Sequence, residues 1–279
     1  MDGKDLALGG AGFFLPFLGS IAGTEAYLSG DRLAAKALPA THTTEQLSRL
    51  REIMGIPKER VPVFHDMVRY RNPPPSGMLY NIDASPKRIA NALKAMDLMD
   101  ADSGRRLFPG VTPYTAAQLS SGKPAAAVFL RDTKEVATLA HELGHATMTN
   151  KGLVGKLRGV SDLIGRRIAS TNVRAFPLRY GIAASPIFMD ADNPYLYAPA
   201  AVLAASELPL LAEEAVASTK GLGALKKLMG AGEPAASRIT KPQYAAARKV
   251  LARMFGSYAL PALAMSAAPL ALAALKKRD

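Results

Sequence analysis

The sequence predicts a mostly helical α+β chain with hydrophobic helices at both ends. Three observations carry this. The chain is 49% hydrophobic but only 6% aromatic, with no Trp, and its apolar content is largely Ala and Leu, which favour helix. Residues 6–23 and 258–275 are apolar and carry no charge. Strand signals are few, at residues 61–64, 78–82 and 125–130, and the last directly precedes a helical pattern.

The length of 279 residues suits one large domain, or one domain with an added region. A formal net charge of +12 points to nucleic acid or an anionic membrane surface as partner. The absence of Cys excludes disulfides and Cys-ligated zinc, so any zinc site must use His and carboxylate.

Taken in order, residues 6–23 reach transmembrane length, and Asp2, Lys4 and Asp5 before them make a poor signal-peptide start. A membrane anchor is expected there, with a buried Gly-rich helix or a disordered arm as the alternative. Residues 25–38 read as a separate amphipathic helix stopped by Pro39. Thr43 and Gln46 have capping-box spacing, opening a helix with Leu47, Leu50, Ile53 and Met54 inward and Gly55 as its stop. Residues 61–64 form a strand placed at an edge by Pro62. His42 and His65 read as loop residues. Ser85 and Pro86 start another helix.

Residues 132–150 read as one helix. Asp132 caps it, Glu135 completes a capping box, Gly152 stops it, and Val136, Leu139, Ala140 and Leu143 face a core. On it lies His-Glu-Leu-Gly-His, residues 141–145. His141 and His145 are one turn apart on one face, where two imidazoles can share a tetrahedral metal. Glu142 can reach a water in the open position. This is the zinc-protease arrangement, with two His ligands and a Glu as general base. The alternative is a surface helix with two solvated histidines. The strand at 125–130 offers an edge for an extended peptide, or is an ordinary core strand.

Beyond the motif, Leu153, Leu157, Val160, Ile164 and Ile168 line a helical face crowded by Lys and Arg, which suits a membrane surface or a solvated face. No nucleic-acid motif accompanies the basic charge. Residues 195–211 are apolar except for Glu207 and read as a hydrophobic hairpin arm or an interfacial helix. Glu213 and Glu214 follow, in a stretch that reads as a helix. A zinc site needs a third protein ligand, and only one of these neighbours can point at the metal. Residues 241–257 read as a basic helix, and 258–275 as a second candidate span closed by Lys276, Lys277 and Arg278, with a buried Ala-rich helix as its rival. Arg248, Tyr244 and Tyr258 are candidates to stabilise an oxyanion.

Three stretches carry a family resemblance: Ala-His-Glu-Leu-Gly-His-Ala at 140–146, Glu-Ala-Val-Ala-Ser at 214–218 after Leu208-Pro209, and Ala-Arg-Lys-Val-Leu at 247–251 before an apolar terminal helix. In these the chain resembles the YugP-like membrane-bound neutral zinc metallopeptidases, and more distantly the HtpX and CAAX-processing membrane proteases. The motif match covers roughly the second half of the chain. The resemblance implies a zincin-like, gluzincin-type core with Zn2+ held by His141, His145 and Glu214, and Glu142 as catalytic base. It selects Glu214 over Glu213, a choice that spacing leaves open.

The organisation expected is an N-terminal anchor and linker at 1–40, a metallopeptidase domain at 41–257, and a C-terminal hydrophobic helix with a basic end at 258–279. The function expected is zinc-dependent peptide hydrolysis at a membrane, with a peptide or protein substrate and lipid as partners and nucleic acid not among them. The rival reading is an inactive metal-binding or structural membrane protein that keeps the same site.

Overall fold

The computed structural model describes residues 3–39, 41–56, 61, 63–64, 79–81, 126–129, 135–148 and 176–277. The chain is mostly helical. Its described elements are α1 (Gly3–Ala37), α2 (Thr44–Met54), β1 (Val63–Phe64), β2 (Leu79–Asn81), β3 (Ala126–Phe129), α3 (Val136–Ala146), α4 (Phe176–Ala184), a 3-10 turn (Ser185–Phe188), α5 (Ala198–Leu228) and α6 (Lys241–Lys276). The three short strands do not by themselves make an α+β domain. The helix expected from Ser85, His65, the Asp132 cap, the Gly152 stop and the basic face at 151–174 lie outside the described residues.

Two compact units form. The first holds residues 1–31, 150–215 and 252–279, and the second 32–149 and 216–251. Helices α1, α5 and α6 are each continuous across the division.

In the first unit, α1 and α6 pack antiparallel through small residues. A Cβ added at Gly23 would lie 2.8 Å from the Ser257 carbonyl and 2.7 Å from the Pro261 ring, and one at Gly19 would collide with Ala264. Only glycine permits this approach, as in small-xxx-small helix pairs. Further along, the Arg253 guanidinium donates to the Ser29 carbonyl at 2.7 Å. A core of Ala183, Leu203, Met265 and Ala268, with Leu15, Tyr180 and Ile182 against it, joins α4 and α5 to this pair. Arg179 and Glu207 form an ion pair in which both side chains are 2% exposed. The Lys276 ammonium caps the 3-10 turn through the Pro186 and Ile187 carbonyls at 3.3 and 2.7 Å.

The sequence breaks expected inside these helices do not occur. Residues 6–23 and 25–38 form the single helix α1, 241–257 and 258–275 form α6, and residues 198–211 belong to α5 rather than to a hairpin arm. Prolines 16, 209, 261 and 269 all lie inside helices. Proline removes one donor without ending a helix whose remaining carbonyls find other partners. Four residues past Pro16, the Ser20 hydroxyl donates to the Pro16 carbonyl at 3.0 Å.

In the second unit, α2 begins with the expected capping box. The Gln46 N–H donates to Thr43 Oγ1 and the Thr43 N–H to Gln46 Oε1, each at 3.0 Å. Gly55 ends it in the left-handed region, φ 66°. Leu50 is fully buried, while Leu47, Ile53 and Met54 are half-buried. Arg51 is buried as well, and donates to the Val61 carbonyl at 2.7 Å. Arg49 grips Glu233 with two hydrogen bonds of 2.8 Å, which holds the Glu233 carboxyl below its usual range. A second capping box, Thr240 with Gln243, opens α6.

The strands form a sheet in the order β1-β3-β2, with β1 parallel and β2 antiparallel to β3. The strand at 61–64 is thus an edge, as its proline predicts. β3 is bonded on both sides and Val128 is fully buried, so it is a core strand and not an open edge for a peptide.

Candidate metal centre

The motif helix α3 is shorter than the sequence pattern suggests. It starts at Val136, so Glu135 occupies the N-cap position rather than the third residue, and it ends at Ala146 with Thr147 following. The Glu135 carboxylate accepts from the Thr138 hydroxyl, which fixes the first turn without a backbone cap. Val136, Leu139, Ala140 and Leu143 are buried as expected, but so are Thr138, His141, Glu142 and His145. A solvated surface helix is therefore excluded. Polar side chains buried this fully need partners, which a metal ion can supply.

Small residues bring α5 against α3. A Cβ at Gly221 would lie 2.8 Å from the Ala140 carbonyl oxygen, and one at Gly144 would overlap the Ala217 backbone. The two backbones touch where Ala140 and Gly144 face Ala217 and Gly221. Ser218, one residue past Ala217, comes within 3.2 Å of His141 Nδ1 through its hydroxyl. That contact occupies Nδ1 and leaves Nε2 to face the other way. One turn before Ser218 on the same helix stands Glu214.

The consequence is a buried trio. One ligand atom each from His141, His145 and Glu214 lies within 4.8 Å of the others. The Nε2 atoms of His141 and His145 are 3.2 Å apart, with their rings edge to face. Two nitrogens bound to one tetrahedral ion at about 2.0 Å would be about 3.3 Å apart. The donor set and this spacing therefore fit a metal ion without rearranging the pair. Glu142 is buried beside them, its Oε1 3.9 Å from His141 Nε2, and does not belong to the trio.

Glu213 and Glu214 separate as neighbours on a helix must. Glu214 is 6% exposed and joins the histidines, whereas Glu213 is only partly buried. His42 is not in the group. Of the three residues considered for an oxyanion, Arg248 is exposed and Tyr244 and Tyr258 are partly buried.

Comparison with family models, curated proteins and solved structures found no match. The reading of the site rests on its own geometry.

Sequence reasoning missed the role of Ser218, although the serine lies inside the quoted Glu-Ala-Val-Ala-Ser stretch. Its signal was the spacing of four from Glu214, which puts both on the face turned to α3. The glycine contacts carried a fainter signal, small residues at 140 and 144 and again at 217 and 221.

Proposed function

We propose that the chain is a membrane-associated zinc endopeptidase with a zincin-like core. The observation that carries this is the buried His141–His145–Glu214 trio with a further carboxylate, Glu142, beside it. Two histidines and one carboxylate make up the three-ligand set of hydrolytic zinc sites, which leaves one coordination position open. When bound, zinc supplies a Lewis acid that polarises a carbonyl and lowers the pKa of its water.

The chain's own residues do the rest. His141 and His145 present Nε2 from successive turns of α3. Ser218 holds the His141 ring by its other nitrogen, so the ring cannot swing away. Glu142 takes the proton from the water that attacks the peptide carbonyl, and delivers it to the departing amine. The resemblance to the YugP-like metallopeptidases agrees with these assignments. An apolar first unit and the span-length helix α6 support the membrane part of the reading.

A structural or inactive metal site is the rival. It does not account for Glu142, a carboxylate buried at a metal site yet outside the ligand group. Glu142→Gln separates the two. The variant keeps its zinc, because no ligand changes, and loses hydrolysis of casein by about 100-fold or more through loss of the base. Zinc content and hydrolysis measured on one preparation decide the matter. Wild-type cleavage by the variant would remove Glu142 from the mechanism, and absence of cleavage by the wild-type zinc-loaded protein would favour the structural site.

A further inference from the structure

We propose that Arg179 binds substrate, donating to a backbone carbonyl of an extended peptide about three residues from the bond that is cut. This rests on the peptide-hydrolysis reading of the metal centre, and adds to it a group that holds the substrate chain.

The donors are the first observation. Arg179 on α4 is 2% exposed, and its Nη2 pairs with Glu207 on α5, which is equally buried. Among the described residues nothing accepts from the other two guanidinium nitrogens, Nε and Nη1, and both are buried. A guanidinium carries five N–H donors and no acceptor, and a buried donor loses its hydration without return unless an acceptor meets it. An arginine that serves only the fold uses its nitrogens within the fold. Arg49 does so, engaging Glu233 through Nε and Nη2 and Glu52 through Nη1. Arg179 engages one nitrogen and presents two.

Charge decides what kind of acceptor they take. Glu207 already matches the charge of Arg179, so an incoming carboxylate would set a second anion beside Glu207 in a buried place. A peptide carbonyl brings no net charge and has two lone pairs to offer. Carbonyls of this kind recur at every residue of an extended substrate.

Position decides which carbonyl is met. Glu207 and Glu214 are seven residues apart on the continuous helix α5. Seven residues rotate by about 700°, close to two full turns, so the two carboxylates leave one face of the helix. Their levels differ by about 10 Å. An extended peptide covers about 3.3 Å per residue. A chain whose scissile carbonyl lies at the trio therefore reaches the level of Glu207, and of Arg179 on it, about three residues away. Burial is no obstacle particular to Arg179. His141, Glu142 and His145 are buried as well, so a peptide that reaches the metal has already entered the interior.

The test uses the full-length, zinc-loaded protein carrying Glu142→Gln, in which peptide binding is read without cleavage. Two variants are made on this parent. Arg179→Lys keeps a charge beside Glu207 and removes the planar donors. Arg179→Met combined with Glu207→Leu removes both charges together, which leaves neither stranded. The probe is dansyl-labelled unfolded casein, followed by fluorescence anisotropy. Acetohydroxamate, too short to span from the metal to Arg179, is the control, followed by calorimetry. Casein affinity should fall by about tenfold or more in both variants, because a charge-assisted hydrogen bond is lost, while hydroxamate affinity and zinc content stay as in the parent.

Casein affinity unchanged in either variant overturns the proposal and leaves the two donors to bound water. Equal losses for casein and hydroxamate also overturn it, since the change then disturbs the whole site. Absence of casein binding by the parent does the same. Leucine-rich peptides that end near Arg179 distinguish the acceptor: tighter binding of the free acid than of the amide would replace the carbonyl by a terminal carboxylate. Casein hydrolysis by the wild type is measured separately. No hydrolysis with binding that depends on Arg179 removes the protease reading alone, and hydrolysis with binding that ignores Arg179 removes the Arg179 site alone.

Discussion

Replacing Gly221 by Ala tests whether backbone contact between α3 and α5 sets the metal site. The added Cβ would sit 2.8 Å from the Ala140 carbonyl oxygen, 2.9 Å from its carbon and 3.1 Å from the His141 nitrogen. Ordinary contact begins at 3.4 Å, so the helices must part by about 0.6 Å, and every atom in the way is backbone that cannot rotate aside. Overpacking of this kind costs about 1–3 kcal/mol, against which alanine returns about 0.5–1 kcal/mol in helix propensity. Fold stability should thus fall by no more than about 2.5 kcal/mol. The metal site should change much, because metal–ligand distances tolerate only about 0.2 Å. Loss of a supporting contact around a ligand typically costs 10- to 100-fold in affinity, and a displaced ligand should cost at least about 100-fold. Zinc titration against a chromophoric chelator measures this, with Gly223→Ala as control, since nothing lies within 4 Å of a Cβ there. Wild-type zinc affinity in Gly221→Ala, with an unchanged unfolding midpoint, would refute the claim that this contact positions the ligands.

Other changes have equally definite outcomes. Glu214→Ala should lose zinc and hydrolysis together, while Glu213→Ala binds zinc nearly as the wild type does; equal losses in a zinc titration would remove Glu214 as the third ligand. Arg179→Met should destabilise by about 3–5 kcal/mol by stranding the Glu207 charge, and adding Glu207→Leu should recover most of it; thermal unfolding in detergent that shows no recovery would mean the pair is not the cause. Glu233 has its pKa lowered chiefly by the hydrogen bond from Arg49, so it contributes stability above the usual carboxylate range and loses it as pH falls through its lowered value. The gap in unfolding midpoint between wild type and Glu233→Gln should close on acidification below the usual carboxylate range, and a gap that stays constant would show that the ion pair contributes nothing.

Where the sequence was legible, a local rule had no competitor. The Thr43 capping box and the Gly55 stop follow from side chains that bond within one turn, and the structure contains both. The spacing of His141 and His145 fixes their common face whatever surrounds α3. Helix ends elsewhere were misread because they depend on neighbours. The division expected between residues 23 and 25 rests on a change from apolar to charged residues, but the helix runs on through it, and Gly23 lies there in close approach to Ser257 and Pro261. Glu207 looked like an interruption of an apolar run because its partner, Arg179, is far away in sequence. The third member of the trio was narrowed to two neighbours by chemistry and to Glu214 by the family resemblance. What places Glu214 rather than Glu213 beside the histidines is the rotation of α5 about its axis, where Ala217 and Gly221 press on α3.

Composition carried more of the site than its helix-forming tendency suggested. Ala and Gly favour or permit helix one residue at a time, and read that way they say little about function. In pairs four apart they remove side chains from a strip of helix surface and let two backbones meet. That happens twice among the described residues, at Gly19 and Gly23 on α1 and where Ala140 and Gly144 face Ala217 and Gly221. In the first unit the close approach aligns the charge-free runs of α1 and α6. At the metal centre it leaves α3 and α5 no room to slide, so His141, His145 and Glu214 converge through backbone contact rather than through long side chains, which would lose entropy on ordering. A leucine or phenylalanine at either strip would add apolar area and still separate the ligands.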